Sequence, residues 1–144
     1  MTESPPPVPA ERKEDTEHLR LLTIFHFILA GLSLLGIGFL AAHYTVMRVV
    51  FMNPEIWKNQ KGPPPPPEIF AMMQWFYVFF GFILVTAALG NLLSGLFMKR
   101  RKHRTFSLII AGLDCFQIPF GTALGVFTFI VLLRDSVRDA YKNA

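Results

Sequence analysis

Apolar residues gather in three runs, 21–47, 69–98 and 105–133, separated by short polar stretches. The runs are 27, 30 and 29 residues long, and about 20 apolar residues suffice for a helix to cross the hydrocarbon of a bilayer. The pattern predicts an all-α integral membrane bundle of three transmembrane helices, with room for little else in the chain. Its divisions are a disordered Pro-rich tail at 1–14, a first transmembrane helix at 15–50 and an extramembrane loop at 51–68. A second transmembrane helix follows at 69–98, then a basic turn at 99–104, a third transmembrane helix at 105–134 and a polar C-terminal tail at 135–144.

Prolines sharpen this outline. The tail MTESPPPVPAERKE holds too little apolar bulk to offset the entropy of ordering it. Asp15 or Thr16 can then cap the first helix. In the loop, five consecutive prolines at 63–67 favour an extended left-handed rod about 15 Å long, a stiff strut. Trp57, Trp75 and Tyr77 suit the membrane interface. The third run is interrupted by Gln117-Ile118-Pro119-Phe120-Gly121. Because proline lacks the N–H and crowds the preceding turn, that helix is expected to kink near Pro119.

The formal charge of +4 changes the picture only through its distribution. Lys99, Arg100, Arg101, Lys102 and Arg104 crowd one six-residue turn, and such positive clusters stay on the cytoplasmic side. Three spans then place the N-terminus in the cytoplasm and the C-terminus outside, with Arg12, Lys13 and Arg20 also inside. The Lys and Arg balance is 8 inside to 6 outside. A re-entrant hairpin at the Pro119 interruption would return the C-terminus and raise the balance to 11 against 3. Its arms, however, reach only about 20 Å, and a turn at membrane depth needs surrounding protein. The kinked span is the simpler expectation. Positives beside apolar runs face lipid headgroups, so nucleic acid is not an expected partner. The acidic N-terminus and long first run differ from a cleaved signal peptide. Cys115, the only cysteine, lies within the third run and suits packing.

Asp114 is the only formal charge inside the runs, and a carboxylate near the bilayer centre costs roughly 2.5 to 3.5 kcal/mol to insert. On a continuous helix Asp114, Gln117, Gly121, Gly125 and Thr128 share one face. Measured from the middle of each run, His26, Asn91 and Asp114 lie about 12, 11 and 7 Å to the cytoplasmic side. With Gln117 they form a candidate intramembrane polar layer. Small residues supply the packing surfaces: Gly81, Ala88 and Gly95 on the second helix, Gly121 and Gly125 on the third. Such stripes let backbones approach closely where lipid gives no hydrophobic drive, so the second and third helices should pack as an antiparallel pair.

No catalytic residue stands out, because Ser-His-Asp spacings, phosphate loops and intramembrane-protease patterns are absent from the sequence. No metal or cofactor is expected: the histidines lie at different depths and no ligand cluster accompanies them. The Phe-rich second run reads as packing or lipid contact.

From His18 onward the chain resembles a family of small bacterial multi-span membrane proteins of uncharacterised function. HLRLLTIFHFILAGL, KRRKHRTF and the C-terminal segment PFGTALGVFT carry the resemblance. It implies a bacterial cytoplasmic membrane location and carries over no activity. The expected role is that of a non-enzymatic scaffold or assembly component, with the lipid bilayer, a second copy or other membrane subunits as partners. The alternative is a small oligomeric channel or proton- or cation-linked transporter using Asp114.

Overall fold

The computed structural model describes residues 13–58, 62–63 and 65–142. It is all-helical among these residues. The elements are α1 (Lys13–Met52), α2 (Pro54–Lys58), α3 (Pro67–Lys99), α4 (Arg104–Asp114), α5 (Phe120–Leu132) and α6 (Asp135–Lys142). α1 and α3 are each long and apolar enough to cross a membrane. A third candidate arises only if α5 and α6, which meet at a 74° bend, are taken as one span. Residues 1–12 of the expected N-terminal tail, 59–61 of the expected loop, Pro64 of its strut and 143–144 of the expected C-terminal tail lie outside the described residues. Pro67 opens α3, where its missing N–H is no loss.

The chain divides into two compact units, residues 30–89 and the remainder. In the 30–89 unit, α1 and α3 approach at small residues: a Cβ on Gly36 would lie 3.2 Å from Leu84, and one on Gly81 3.7 Å from Leu40. Aromatic contacts extend this pairing, with Tyr44 and Phe51 both stacked on Phe70. The Asn53 side chain caps α2 by accepting from Glu55 N–H at 3.1 Å. Trp57 Nε1–H donates to the Val50 carbonyl at 3.0 Å, which folds α2 against the end of α1.

The other unit corrects the expectation of a single kinked third helix. After Asp114 the chain turns through residues 115–119, and α5 runs back along α4. The far ends of the two helices are tied together, Arg104 Nε donating to the Leu132 carbonyl at 2.7 Å. A single span over those positions would separate them by about 40 Å at 1.5 Å per residue. Two sequence features produce the reversal. Pro119 cannot continue the hydrogen-bond ladder of α4. Gly121 and Gly125 then let α5 lie directly on α4: a Cβ on Gly125 would strike the Ala111 carbonyl oxygen and lie 2.7 Å from Cys115 Sγ. The expected partner of these glycines was the second helix, yet they face the arm that precedes them. Gly90 on α3 takes over that pairing, since its Cβ would meet Ile110 of α4 at 2.7 Å. Gly95 seats the Phe27 ring of α1.

Each segment of this unit buries one narrow stripe. On α1 it is Asp15, Leu19, Leu22, His26 and Leu29; on α5 it is Gly121, Leu124, Gly125, Thr128, Val131 and Leu132. The three-and-four spacing is that of helices meeting along a seam. Large apolar side chains on the outer faces, such as Leu21, Ile24, Phe25 and Ile28, remain exposed, as expected of helices whose solvent is lipid. The expected polar tail is instead helix α6, whose Val137 enters the core beside Leu19, Leu22 and Leu132. A clasp fixes it there. Buried Asp15 accepts from Arg134 Nη1 at 3.1 Å and from Ser136 Oγ at 2.6 Å, so the beginning of α1 and the C-terminal helix lie together.

Candidate functional site

His26 is fully buried on the α1 stripe, and three other segments converge on its ring. Its Nδ1 lies 2.6 Å from Asn91 Oδ1 on α3, its Nε2 3.3 Å from Thr128 Oγ1 on α5. Asn91 Nδ2 in turn donates to Asp114 Oδ1 at the end of α4, at 2.8 Å. The amide oxygen can only accept, so His26 Nδ1–H donates to it. A neutral ring then accepts the Thr128 hydroxyl proton at Nε2. The result is a directional chain, Thr128 to His26 to Asn91 to Asp114, that ties four segments together.

The second carboxylate oxygen of Asp114 behaves differently. Oδ2 is buried, lies 3.7 Å from His26 Nδ1, and takes no hydrogen bond. The hydroxyls of Ser94 and Ser107 are also buried without a partner. The layer therefore combines a bonded chain with a few polar atoms left over.

Three of the four residues expected in the layer thus come together. Gln117 does not, because the helix that would have carried it onto the same face ends at Asp114. It lies in the turn, where its backbone carbonyl accepts from Gly121 and Thr122 N–H. Thr128 takes the fourth place. Its appearance on the Asp114 stripe was the available signal, but only chain reversal brings it to His26. Counted from the basic turn along one continuous helix, Thr128 would lie about 35 Å away from the start of the run.

The turn between α4 and α5 is the second notable feature. Phe116, Ile118 and Phe120 are 85, 84 and 75% exposed. Among the described residues the Ile118 N–H donates to nothing, and the Phe116 and Ile118 carbonyls accept nothing. Thr122 Oγ1 covers the neighbouring Cys115 carbonyl at 2.8 Å. Apolar bulk and unpaired backbone are exposed side by side at the tip.

Other expected positions are distributed without forming a second centre. In the 30–89 unit, His43 Nδ1 is 2.7 Å from the Tyr77 hydroxyl, and Gln74 Nε2 donates to Tyr44 at 3.1 Å. Tyr44, Gln74 and Tyr77 line an open groove of about 560 Å³ together with Trp75 and the aliphatic Ile37, Leu40 and Val78. Ala88 is buried on α3, while Lys99, Arg100, Arg101, Lys102 and Arg104 lie at or beside the turn into α4. Arg101 and His103 adopt left-handed backbone with φ of 51°, which tightens that turn. Close by, desolvation pushes the Tyr141 phenol of α6 up to about 12, with Arg101 and Arg104 partly opposing the shift. Among the described residues no three His, Cys, Asp or Glu side chains converge as a metal site would require.

Comparison with known protein families, curated proteins and solved structures finds no match to this chain.

Proposed function

We propose that the chain is a structural or assembly component of a membrane, packing with itself or with a larger membrane complex and carrying no catalytic activity. The tip of the α4–α5 hairpin carries this reading. With arms of 11 and 13 residues, the hairpin reaches about 17 to 20 Å, short of the roughly 30 Å hydrocarbon core. Its turn then lies at membrane depth. Irregular backbone is tolerated there only where protein covers it or water reaches it, and here the tip is exposed, flanked by three large apolar side chains. A protein partner satisfies both requirements.

The topology follows from the same geometry. Two spans and a re-entrant hairpin put the N-terminus, the basic turn and α6 on the cytoplasmic side, with Lys and Arg divided 11 to 3. The Asp15 clasp to Arg134 and Ser136 supports a shared side for both termini. The resemblance to small bacterial membrane proteins favours a bacterial cytoplasmic membrane as the location.

A second reading rests on Asp114. Its unpartnered Oδ2 beside His26 suits a proton- or cation-linked channel or transporter. Photocrosslinkers placed at Phe116 and Ile118 in native membranes separate the two. A discrete protein adduct, with itself or another subunit, is expected. Adducts to lipid alone, together with ion flux in proteoliposomes that Asp114→Asn abolishes, would reject the structural role.

A further inference from the structure

The basic side of the α1–α3 pair contains a half-open cavity of about 470 Å³ that the polar layer does not use. Arg20, Lys99 and Arg101 line its rim, and Ile24, Phe27 and Met98 line its wall. Among the described residues neither Arg20 nor Lys99 has a carboxylate partner. We propose that this cavity binds one anionic phospholipid, its phosphate held by Arg20 and Lys99 and one acyl chain lying along Ile24 and Phe27.

The order of residues matches the order of chemistry along a lipid. Arg20 immediately precedes the first apolar run, and Lys99 immediately follows the second, so both stand at headgroup depth. One helical turn deeper on α1, Ile24 begins an apolar wall. Phe27, resting on Gly95, continues it about 10 Å from Arg20. Arginine's planar fork suits two phosphate oxygens, and the lysine ammonium adds a mobile point charge. Basic pockets between membrane helices on the cytoplasmic side are suited to anionic headgroups. A soluble phosphate would use the rim and leave the apolar wall empty, whereas a phospholipid occupies both. A zwitterionic lipid would bring its own cation against the three positive side chains.

The test uses the full chain in neutral detergent, titrated with phosphatidylglycerol or phosphatidylcholine and read by native mass spectrometry. One retained phosphatidylglycerol per chain is expected, bound at least tenfold more tightly than phosphatidylcholine. R20A/K99A should remove that preference, while R138A/K142A, which deletes the same charge elsewhere, should leave it intact. Equal binding of the two lipids, retention of the preference in R20A/K99A, or displacement of the lipid by millimolar inorganic phosphate overturns the proposal. Independently of any variant, a photoactivatable phosphatidylglycerol should label wild-type protein within residues 16–27 and 98–101. Labelling spread evenly over the exposed apolar helices rejects the site.

Discussion

Asn91 is the keystone of the polar layer, and its replacement by alanine gives the most discriminating test of that arrangement. The amide bonds both neighbours, accepting from His26 at 2.6 Å and donating to Asp114 at 2.8 Å. Truncation leaves a ring N–H and a carboxylate oxygen facing a small void. Interhelical hydrogen bonds in membranes average about 0.6 kcal/mol, so two bonds set a floor near 1.2 kcal/mol. The ceiling comes from desolvation, since each buried group left unmatched costs about 1 to 3 kcal/mol. We expect 2 to 4 kcal/mol (about, combining both bounds). Ser94, one turn away and equally buried, is the internal control because its hydroxyl has no partner to lose. Ser94→Ala should be neutral or slightly stabilising. Reversible unfolding in mixed micelles, followed by circular dichroism, measures both changes in one assay. If Asn91→Ala costs no more than Ser94→Ala, the chain from Thr128 to Asp114 does not hold the segments together.

Further outcomes follow from other parts of the fold. Gly125→Ala should cost about 2 to 3 kcal/mol in the same assay, because its Cβ meets the Ala111 backbone oxygen, which cannot rotate away. Gly31→Ala and Gly38→Ala, with nothing within 4 Å, should instead stabilise by about 0.5 to 1 kcal/mol. In a Cys115→Ser background, single cysteines at Lys102 and Lys142 should react with an impermeant reagent from the same side, and one at Lys58 from the other. Labelling of Lys58 and Lys142 positions together would restore the kinked span. For Tyr141 the folded phenol titrates near 12 against an unfolded 10.0, so the native state keeps a proton that the unfolded chain releases. Stability linked to this group is complete below pH 10 and falls as pH rises towards 12. The ultraviolet difference between wild type and Tyr141→Phe should accordingly titrate near 12, and a midpoint near 10 would contradict its burial.

His26, Asn91 and Asp114 were legible as one layer even though the third run was read as a single span. Offsets from the middles of the runs put them at similar depth, and offsets from the cytoplasmic ends do the same without depending on how the third run continues. His26 is five residues from the start of its run, Asn91 seven from the end of its own, and Asp114 nine from the start of the third. At 1.5 Å each, these offsets are about 8, 11 and 14 Å, and nothing beyond Asp114 affects them. Gln117 and Thr128 lie past the reversal, where counting along a straight helix fails. The Lys and Arg balance favoured the reversal, but the short arms weighed against it. Hydropathy could not arbitrate, because a hairpin in lipid is as apolar as a span. The Asp15 clasp was illegible for the same reason: without the hairpin, Arg134 and Ser136 belong to the other side of the membrane.

The reversal also explains why the one intramembrane carboxylate stands where it does. Asp114 is the last residue of α4, at the point where a helix end leaves carbonyls without intrahelical partners. A negative side chain at a helix C-terminus is disfavoured by the helix dipole as well as by burial, so the position costs more than an interior one. Asn91 offsets part of that cost by donating to Oδ1. In doing so it draws the end of α4 to α3, while Thr128 draws α5 to α1 through His26. Each arm of the hairpin therefore has its own polar tether to a different long helix. Leucine at any of these positions would remove the desolvation cost, but it would also leave the arms free to rotate, since apolar contacts in lipid exchange for equivalent ones at little cost. The polar layer thus trades stability for register, and with register fixed the exposed tip at Phe116, Ile118 and Phe120 faces one direction.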